Sequence, residues 1–339
     1  MATSVDELRF MAQVASLYYE RGLRQAEIGR QLDLSQASVS RLLRRAEQEG
    51  IVRITVQRPF GSFPELEAAI RERYGLKDVV VAAASEDHPT RIVPSLGEAA
   101  AFYLETTIAE DEIIGVSSWS EALLATANAM HALRRTTRAR VVQILGGVGN
   151  PNAASHATRL TLRLASLVNG EAVMLPAPGV VGSAAMRDVV LADPFVRETV
   201  ALFDQVTLAL VGIGCIEPSR MLAISGNVFA EAELEGLRRA GAVGDMGLRF
   251  FDAWGRPMQS ALDDRVVGVT LQQLQQARRT VGIAGGRHKF EAIRAVVRGG
   301  WVHVLVTDQF TATRLAEEPP EDAPADKVPA AEKATAAAH

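Results

Sequence analysis

The sequence predicts two domains: a small N-terminal helix-turn-helix, then a larger α/β domain built on a doubly wound, mostly parallel sheet. Three observations carry this. Residues 5 to 48 read as three short helices with a tight turn before the third, the composition shifts to Pro, Gly, Ser and Phe at 59–64, and seven continuous apolar runs follow, alternating with amphipathic helices. The expected limits are 1–58 for the first domain, 59–64 for a linker, 65–316 for the second domain and 317–339 for a disordered tail rich in Pro, Ala and charge. With 339 residues, 48% of them hydrophobic, the chain can bury one large core and carry a separate small module.

The first helix, Val5 to Arg21, sets Leu8, Met11, Ala12, Ala15, Tyr18 and Tyr19 on one stripe. In the second, Arg24 to Leu32, Ala26, Ile28 and Leu32 are expected inward, with Gln25 and Glu27 facing out. Asp33, Leu34 and Ser35 form the turn. Ser35 is placed to cap the third helix, Gln36 to Gln48, because its hydroxyl can accept from a first-turn amide. Gly50 stops that helix. The alternation of "IVRITVQ" from Ile51 then reads as a short strand, a wing beside the helices.

Beyond the linker, the strand candidates are "DVVVAAA", "EIIGVSS", "RVVQILGG", "EAVMLPAPG", "VTLALVGIG", "RTVGIAGG" and "VHVLVTD". Each is apolar throughout rather than alternating, which implies burial on both faces and hence a parallel sheet covered by helices. Several end in glycine or small polar residues: Ser117 and Ser118, Gly146 and Gly147, Gly212 and Gly214, Gly285 and Gly286. Ligands of open α/β sheets sit beyond the carboxyl ends of strands, so these loops are expected to converge on one crevice.

The formal charge of −4 excludes a protein that merely coats phosphate, so any DNA contact must be local. The third helix supplies it. Gln25, Ser35, Gln36, Ala37 and Ser38 are the candidates nearest DNA, Arg41 can reach a guanine edge, and Arg44 and Arg45 suit phosphates. The bland alternative is an ordinary three-helix bundle with a solvated basic face. One cysteine, Cys215, excludes an intramolecular disulfide, and the six histidines show no metal-ligand spacing. No apolar run reaches the roughly 18 residues of a membrane span, so a soluble, cytoplasmic protein without metal or cofactor is expected.

The stretch "YYERGLRQAEIGRQLDLSQASVSRLLRRAEQEGIVRITV" resembles the SorC family of sugar-responsive bacterial transcriptional regulators, as do "IIGVSSWSEAL", "VVQILGGVG", "LPAPG", "LALVGIG", "GAVGDMGLRFFDAWG", "DDRVVGVTLQQL" and "AGGRHKFEAIRAVVRGGWVHVLVTDQFTA". The likeness spans Val5 to Ala316. It implies a second domain similar in fold to glucosamine phosphate deaminase and ribose phosphate isomerase, usually without catalysis. It also implies a homo-oligomer, often a tetramer, that binds palindromic double-stranded operator DNA and responds to a sugar, sugar alcohol or sugar phosphate. Effector contacts implied by the resemblance fall on Ser117, Ser118 and Ser120, on Gly146 and Gly147, on Asp245 and on Lys289. Hydroxyls and amides leading from a strand into a helix, and an ammonium nearby, have chemistry that fits hydroxyl or phosphate oxygens.

Two positions depart from the sugar-phosphate-sensing pattern, which carries a Gly/Thr-rich loop after the "GVS" strand and a basic residue before the glycine pair. Here stand Trp119-Ser120-Glu121-Ala122 and Leu145. The Glu121 carboxylate repels phosphate but can accept hydrogen bonds from the hydroxyls of an unphosphorylated sugar or polyol, and Leu145 removes an imine-forming lysine. Asp263 and Asp264, near Arg265, read as a structural ion pair rather than paired catalytic carboxylates. "GVGNPN" lacks the lysine of a phosphate-binding P-loop, and Ser225-Gly226-Asn227 reads as a loop. The reading that competes with an effector-gated regulator is an isomerase- or deaminase-like enzyme with an appended helix-turn-helix.

Overall fold

The protein is described by a computed structural model that covers residues 5–52 and 63–318. The chain forms two compact units, Met1–Arg58 and Pro59–His339. Most of the expected wing strand, the linker before Phe63 and the tail beyond Glu318 lie outside the described residues.

The first unit contains α1 (Val5–Ala15), α2 (Gln25–Leu32) and α3 (Gln36–Gln48). Its core is Met11, Val14, Leu17, Ile28, Val39, Leu43 and Ala46. The α1 stripe therefore differs from the expected one: Ala12 and Tyr19 are exposed, and Val14 and Leu17 take inward places. Val14 stands three residues after Met11 on the same face of the regular helix, whereas the inward Leu17 and outward Tyr19 lie in a π-helical turn over Ser16–Glu20, whose extra residue rotates the phase of the last side chains. Tyr19 instead donates its hydroxyl to Glu47 of α3. Ala26 is also exposed rather than packed inward. Gly29 is the close-approach residue between α2 and the turn, since a Cβ there would lie 2.6 Å from the Leu34 carbonyl oxygen.

In the second unit the order is α4 (Pro64–Tyr74), β1 (Asp78–Ala82), α5 (Pro89–Thr107), β2 (Ile113–Val116), α6 (Glu121–Ala129), β3 (Arg140–Gln143), α7 (Pro151–Leu167) and β4 (Glu171–Val173). Next come α8 (Ala184–Ala192), α9 (Pro194–Val200), β5 (Leu208–Gly212), β6 (Gly214–Cys215), α10 (Arg220–Ser225), α11 (Glu231–Arg239), β7 (Ala242–Met246) and β8 (Arg249–Asp252). The last are α12 (Leu271–Gln276), β9 (Arg279–Ile283), α13 (Phe290–Gly299), β10 (Val304–Asp308) and α14 (Gln309–Glu317). Seven strands make one parallel sheet, ordered β1-β10-β9-β5-β2-β3-β4, and each coincides with one of the seven apolar runs.

Those runs are apolar throughout because alternate side chains enter different cores. Val79 and Val81 of β1, and Ala209 and Val211 of β5, join one cluster with α12, α13 and α14. Val80 and Ala82, and Leu208 and Leu210, join the other with α5, α6 and α7. This is the doubly wound architecture. The sequence did not signal the small antiparallel sheet β6-β7-β8, which places Gly214 opposite Asp245. Over Asp263–Arg265, a 3-10 turn has its acidic residues in ion pairs, but with Arg249 (Asp263, 3.3 Å) and Arg187 (Asp264, 3.6 Å) rather than with Arg265.

Candidate functional site

A cavity of about 290 Å³ opens at the carboxyl ends of β2 and β5 and is bounded by β6, β7 and the segment before α13. Its walls carry Ser117, Ser120 and Glu121 from the β2–α6 connection, Asp245 from β7, and Lys289. These five sequence-predicted residues, from separate stretches of chain, meet in one place. Ser120 caps α6, its Oγ accepting from the Leu123 amide at 3.3 Å, so Glu121 stands in the first turn of that helix. A carboxylate there complements the partial positive charge of the helix end.

Asp245 lies at the base. Protein surrounds it on every side except the cavity, and burial pushes its carboxyl up to about 6, against the lowering effects of the Leu248 amide and of Lys289. That amide donates to Asp245 Oδ2 at 2.9 Å. Burial raises the Cys215 thiol and, aided by the Lys289 charge, lowers His288. Around neutral pH the cavity thus holds a protonated thiol and a neutral imidazole beside the Asp245, Glu121 and Lys289 groups. Such a surface offers hydroxyl acceptors on one side and a cationic donor on the other.

Ser118, Gly146 and Gly147 are not on the walls. Ser118 is buried and donates to the Leu145 carbonyl at 3.1 Å, and Trp119 Nε1 donates to the Gly146 carbonyl at 3.2 Å. A Cβ on Gly146 would lie 2.2 Å from the Pro178 oxygen, and one on Gly147 would lie 2.1 Å from Gln143 Nε2. The glycine pair is thus a packing feature under the site. Leu145 itself does line the cavity. Ser225 and Asn227 are part of that same support: Asn227 Oδ1 accepts from the Gly179 amide at 2.6 Å.

Sequence reasoning missed Cys215, Glu217, Ser219, Arg220 and His288, which also line the cavity. Only His288, in the "GGRHK" stretch beside Lys289, carried a signal. The others arrive through the β6–α10 connection, where no motif marks them.

On the first unit, Ser35 caps α3 by accepting from the Ser38 amide at 3.1 Å, as its position before the helix predicted. Gln36, Ala37, Arg41 and Arg44 are exposed along α3, whereas Gln25 and Ser38 are half-buried. Arg41 leans on the Ser38 hydroxyl at 3.3 Å. Arg45 turns back to Glu7 of α1 at 3.4 Å, which leaves Arg41 and Arg44 as the outward guanidinium groups among the predicted DNA contacts.

Comparison with known proteins matches residues 58–317 to the sugar-binding domain family. Over 313 residues the chain is 30% identical to the deoxyribonucleoside regulator of Bacillus subtilis, covering 92% of this chain and 99% of that protein. The crystal structure of the full-length sorbitol operon regulator SorC from Klebsiella pneumoniae superposes with a TM-score of 0.77 at 26% identity, covering 93% of this chain and all of that one. A sugar-binding domain of the transcriptional regulator DeoR from Pseudomonas syringae pv. tomato is 38% identical with a TM-score of 0.60, covering 75% of this chain and 99% of that one.

Proposed function

The chain belongs to the SorC family of transcriptional regulators with a sugar-binding domain, and on that premise we propose that it is an effector-gated regulator of a carbohydrate or polyol operon. The observation that carries this is the cavity at the strand ends, where Ser120, Glu121, Asp245 and Lys289 converge on one wall-lined space. Asp245 and Glu121 accept from hydroxyls, Ser120 donates or accepts, and Lys289 donates to an oxygen of the ligand. With Glu121 in the first helical turn, the α6 end favours a neutral hydroxylated group over a phosphate.

The first unit supplies the DNA contact. In this reading α3 lies in a major groove, Gln36 and Arg41 address base edges, and Arg44 addresses phosphate. The expected operator is palindromic double-stranded DNA bound by a homo-oligomer, in its expected form a tetramer, because paired half-sites require paired recognition helices. Effector binding shifts the oligomer between states of different operator affinity, by the free energy with which it prefers one of them. This is a cytoplasmic role. The second domain acts as a sensor rather than a catalyst.

A thermal-shift screen over sugars, polyols and their phosphates tests the sensor, since a ligand at 100 times its Kd stabilises the native state by about 2.7 kcal/mol. A hit must also change the affinity for DNA from the protein's own upstream region. If the same compounds are turned over into isomerised or deaminated products, the enzyme reading replaces this one.

A further inference from the structure

From the outward face of α3 we infer that Ala37 reads the 5-methyl group of a thymine, beside a guanine addressed by Arg41, in each half-site of the operator. This rests on the DNA-binding role given above to the first unit and names the bases that unit selects. Along α3, Val39, Leu43 and Ala46 are buried, whereas Ala37, Arg41, Arg44 and Gln48 are exposed. Each set follows the spacing of successive helical turns, so the two form opposite stripes of one helix. The outward stripe begins with a bare methyl group, and two guanidinium groups and an amide follow it.

The two hydroxyls at the start of α3 are already engaged. Ser35 Oγ accepts from the Ser38 amide at 3.1 Å and lies 2.8 Å from Ser38 Oγ, and Arg41 Nη2 donates to Ser38 Oγ at 3.3 Å. That last contact folds the Arg41 guanidinium back over the first turn, the turn that carries Ala37. One helical turn rises about 5.4 Å, against about 3.4 Å for a base pair, so methyl and guanidinium reach bases no more than about two pairs apart. In the major groove guanine O6 and N7 accept from a guanidinium fork, and among the four standard bases thymine alone offers a methyl group for apolar contact. The charge around Ala37 favours DNA as the occupant of this face. Among the described residues neither Arg41 nor Arg44 makes an ion pair, and the carboxylates lie at the other end of the helix, where Glu47 accepts from the Tyr19 hydroxyl at 2.8 Å and Glu49 follows the last turn.

The test uses duplexes that the full-length protein selects from a randomised library, with affinity read by fluorescence anisotropy at fixed salt. Selected half-sites are expected to hold a thymine within about two base pairs of a guanine. Replacing that thymine by deoxyuridine removes only the methyl group and is expected to weaken binding about fourfold, the worth of one buried carbon. Ala37→Gly is expected to bind the thymine and deoxyuridine duplexes alike. Arg44→Ala, which loses a phosphate contact, is expected to weaken binding to both and to keep the fourfold ratio. A loss of folded protein scales both affinities equally and leaves the ratio unmoved. Selected duplexes without a methyl-sensitive thymine, or with one whose sensitivity survives Ala37→Gly, overturn the assignment and leave the DNA-binding role standing. Failure to select any sequence overturns both.

Discussion

Gly214 and Asp245 face each other across the β6–β7 pair, and a methyl group on Gly214 would lie 2.1 Å from Asp245 Oδ1. The glycine is therefore what lets the carboxylate occupy the base of the cavity. Gly214→Ala is predicted to move Asp245 and weaken ligand binding at least tenfold. Its effect on stability is about 1–3 kcal/mol, the usual range for overpacking. A ligand titration of the variant beside its melting curve separates the two effects.

Asp245 itself is predicted to oppose folding at neutral pH. Its folded value of about 6 lies above the 3.8 of an unperturbed aspartate. The native state therefore binds more protons between those values, and stability falls as pH rises from about 4 to about 6. Above 6 the full cost is present, on the order of 3 kcal/mol. Asp245→Asn removes it while keeping an acceptor for the Leu248 amide. The variant should melt higher than wild type at pH 7.5, converge with it near pH 4, and bind the effector more weakly. Equal melting temperatures at pH 7.5 would sink the claim that the site stores this strain.

At the opposite end of the strands, Glu112 is 1% exposed and accepts from Arg278 at 2.6 Å and from Arg279 at 3.4 Å. Arg278 is largely exposed, so removing Glu112 leaves chiefly the partly buried Arg279 without its carboxylate. Glu112→Ala is predicted to destabilise the second domain by about 1–3 kcal/mol in urea unfolding, with effector affinity unchanged in the folded fraction.

The seven strands of the main sheet were legible because two-sided burial makes each a continuous apolar run, a pattern independent of what lies on either face. The β6-β7-β8 sheet was not legible. β6 is two residues long, and "AVGDM" alternates too briefly around Gly244 to announce a strand. For the cavity, Ser117 was readable as a small polar residue at a strand end, whereas Ser120, Asp245 and Lys289 were indicated by the family resemblance and Glu121 by its departure from the family pattern. Ser118, Gly146 and Gly147 have the same local character but face packed backbone, a difference that only tertiary contact decides. Arg220 and Glu217 reach the cavity through a connection whose sequence carries no sign of its direction. At Leu17 and Tyr19 the slip in the α1 stripe has a local cause, the π turn at Ser16–Glu20, which a period of 3.6 cannot anticipate, whereas Val14 fits that period three residues after Met11.

Arg41 and Arg45 are three and four residues from Ser38 and Arg41 respectively along one helix, yet their surroundings predict different outcomes. Arg41 is exposed on the outer face, and Arg45 is bound to Glu7. Arg41→Ala is predicted to cost about 1–3 kcal/mol of operator binding and to relax sequence preference, with the fold intact. Arg45→Ala is predicted to appear mainly as a loss of up to about 1 kcal/mol in stability of the first unit.

The most direct measurement of the central claim is fluorescence anisotropy of labelled DNA from the protein's own upstream region, titrated with full-length protein at fixed salt, with and without the compound that gives the largest thermal shift. The account predicts specific binding whose affinity changes at least fivefold with the compound, and no such change when Asp245→Asn replaces the wild type. Specific binding that the stabilising compound leaves untouched would contradict it.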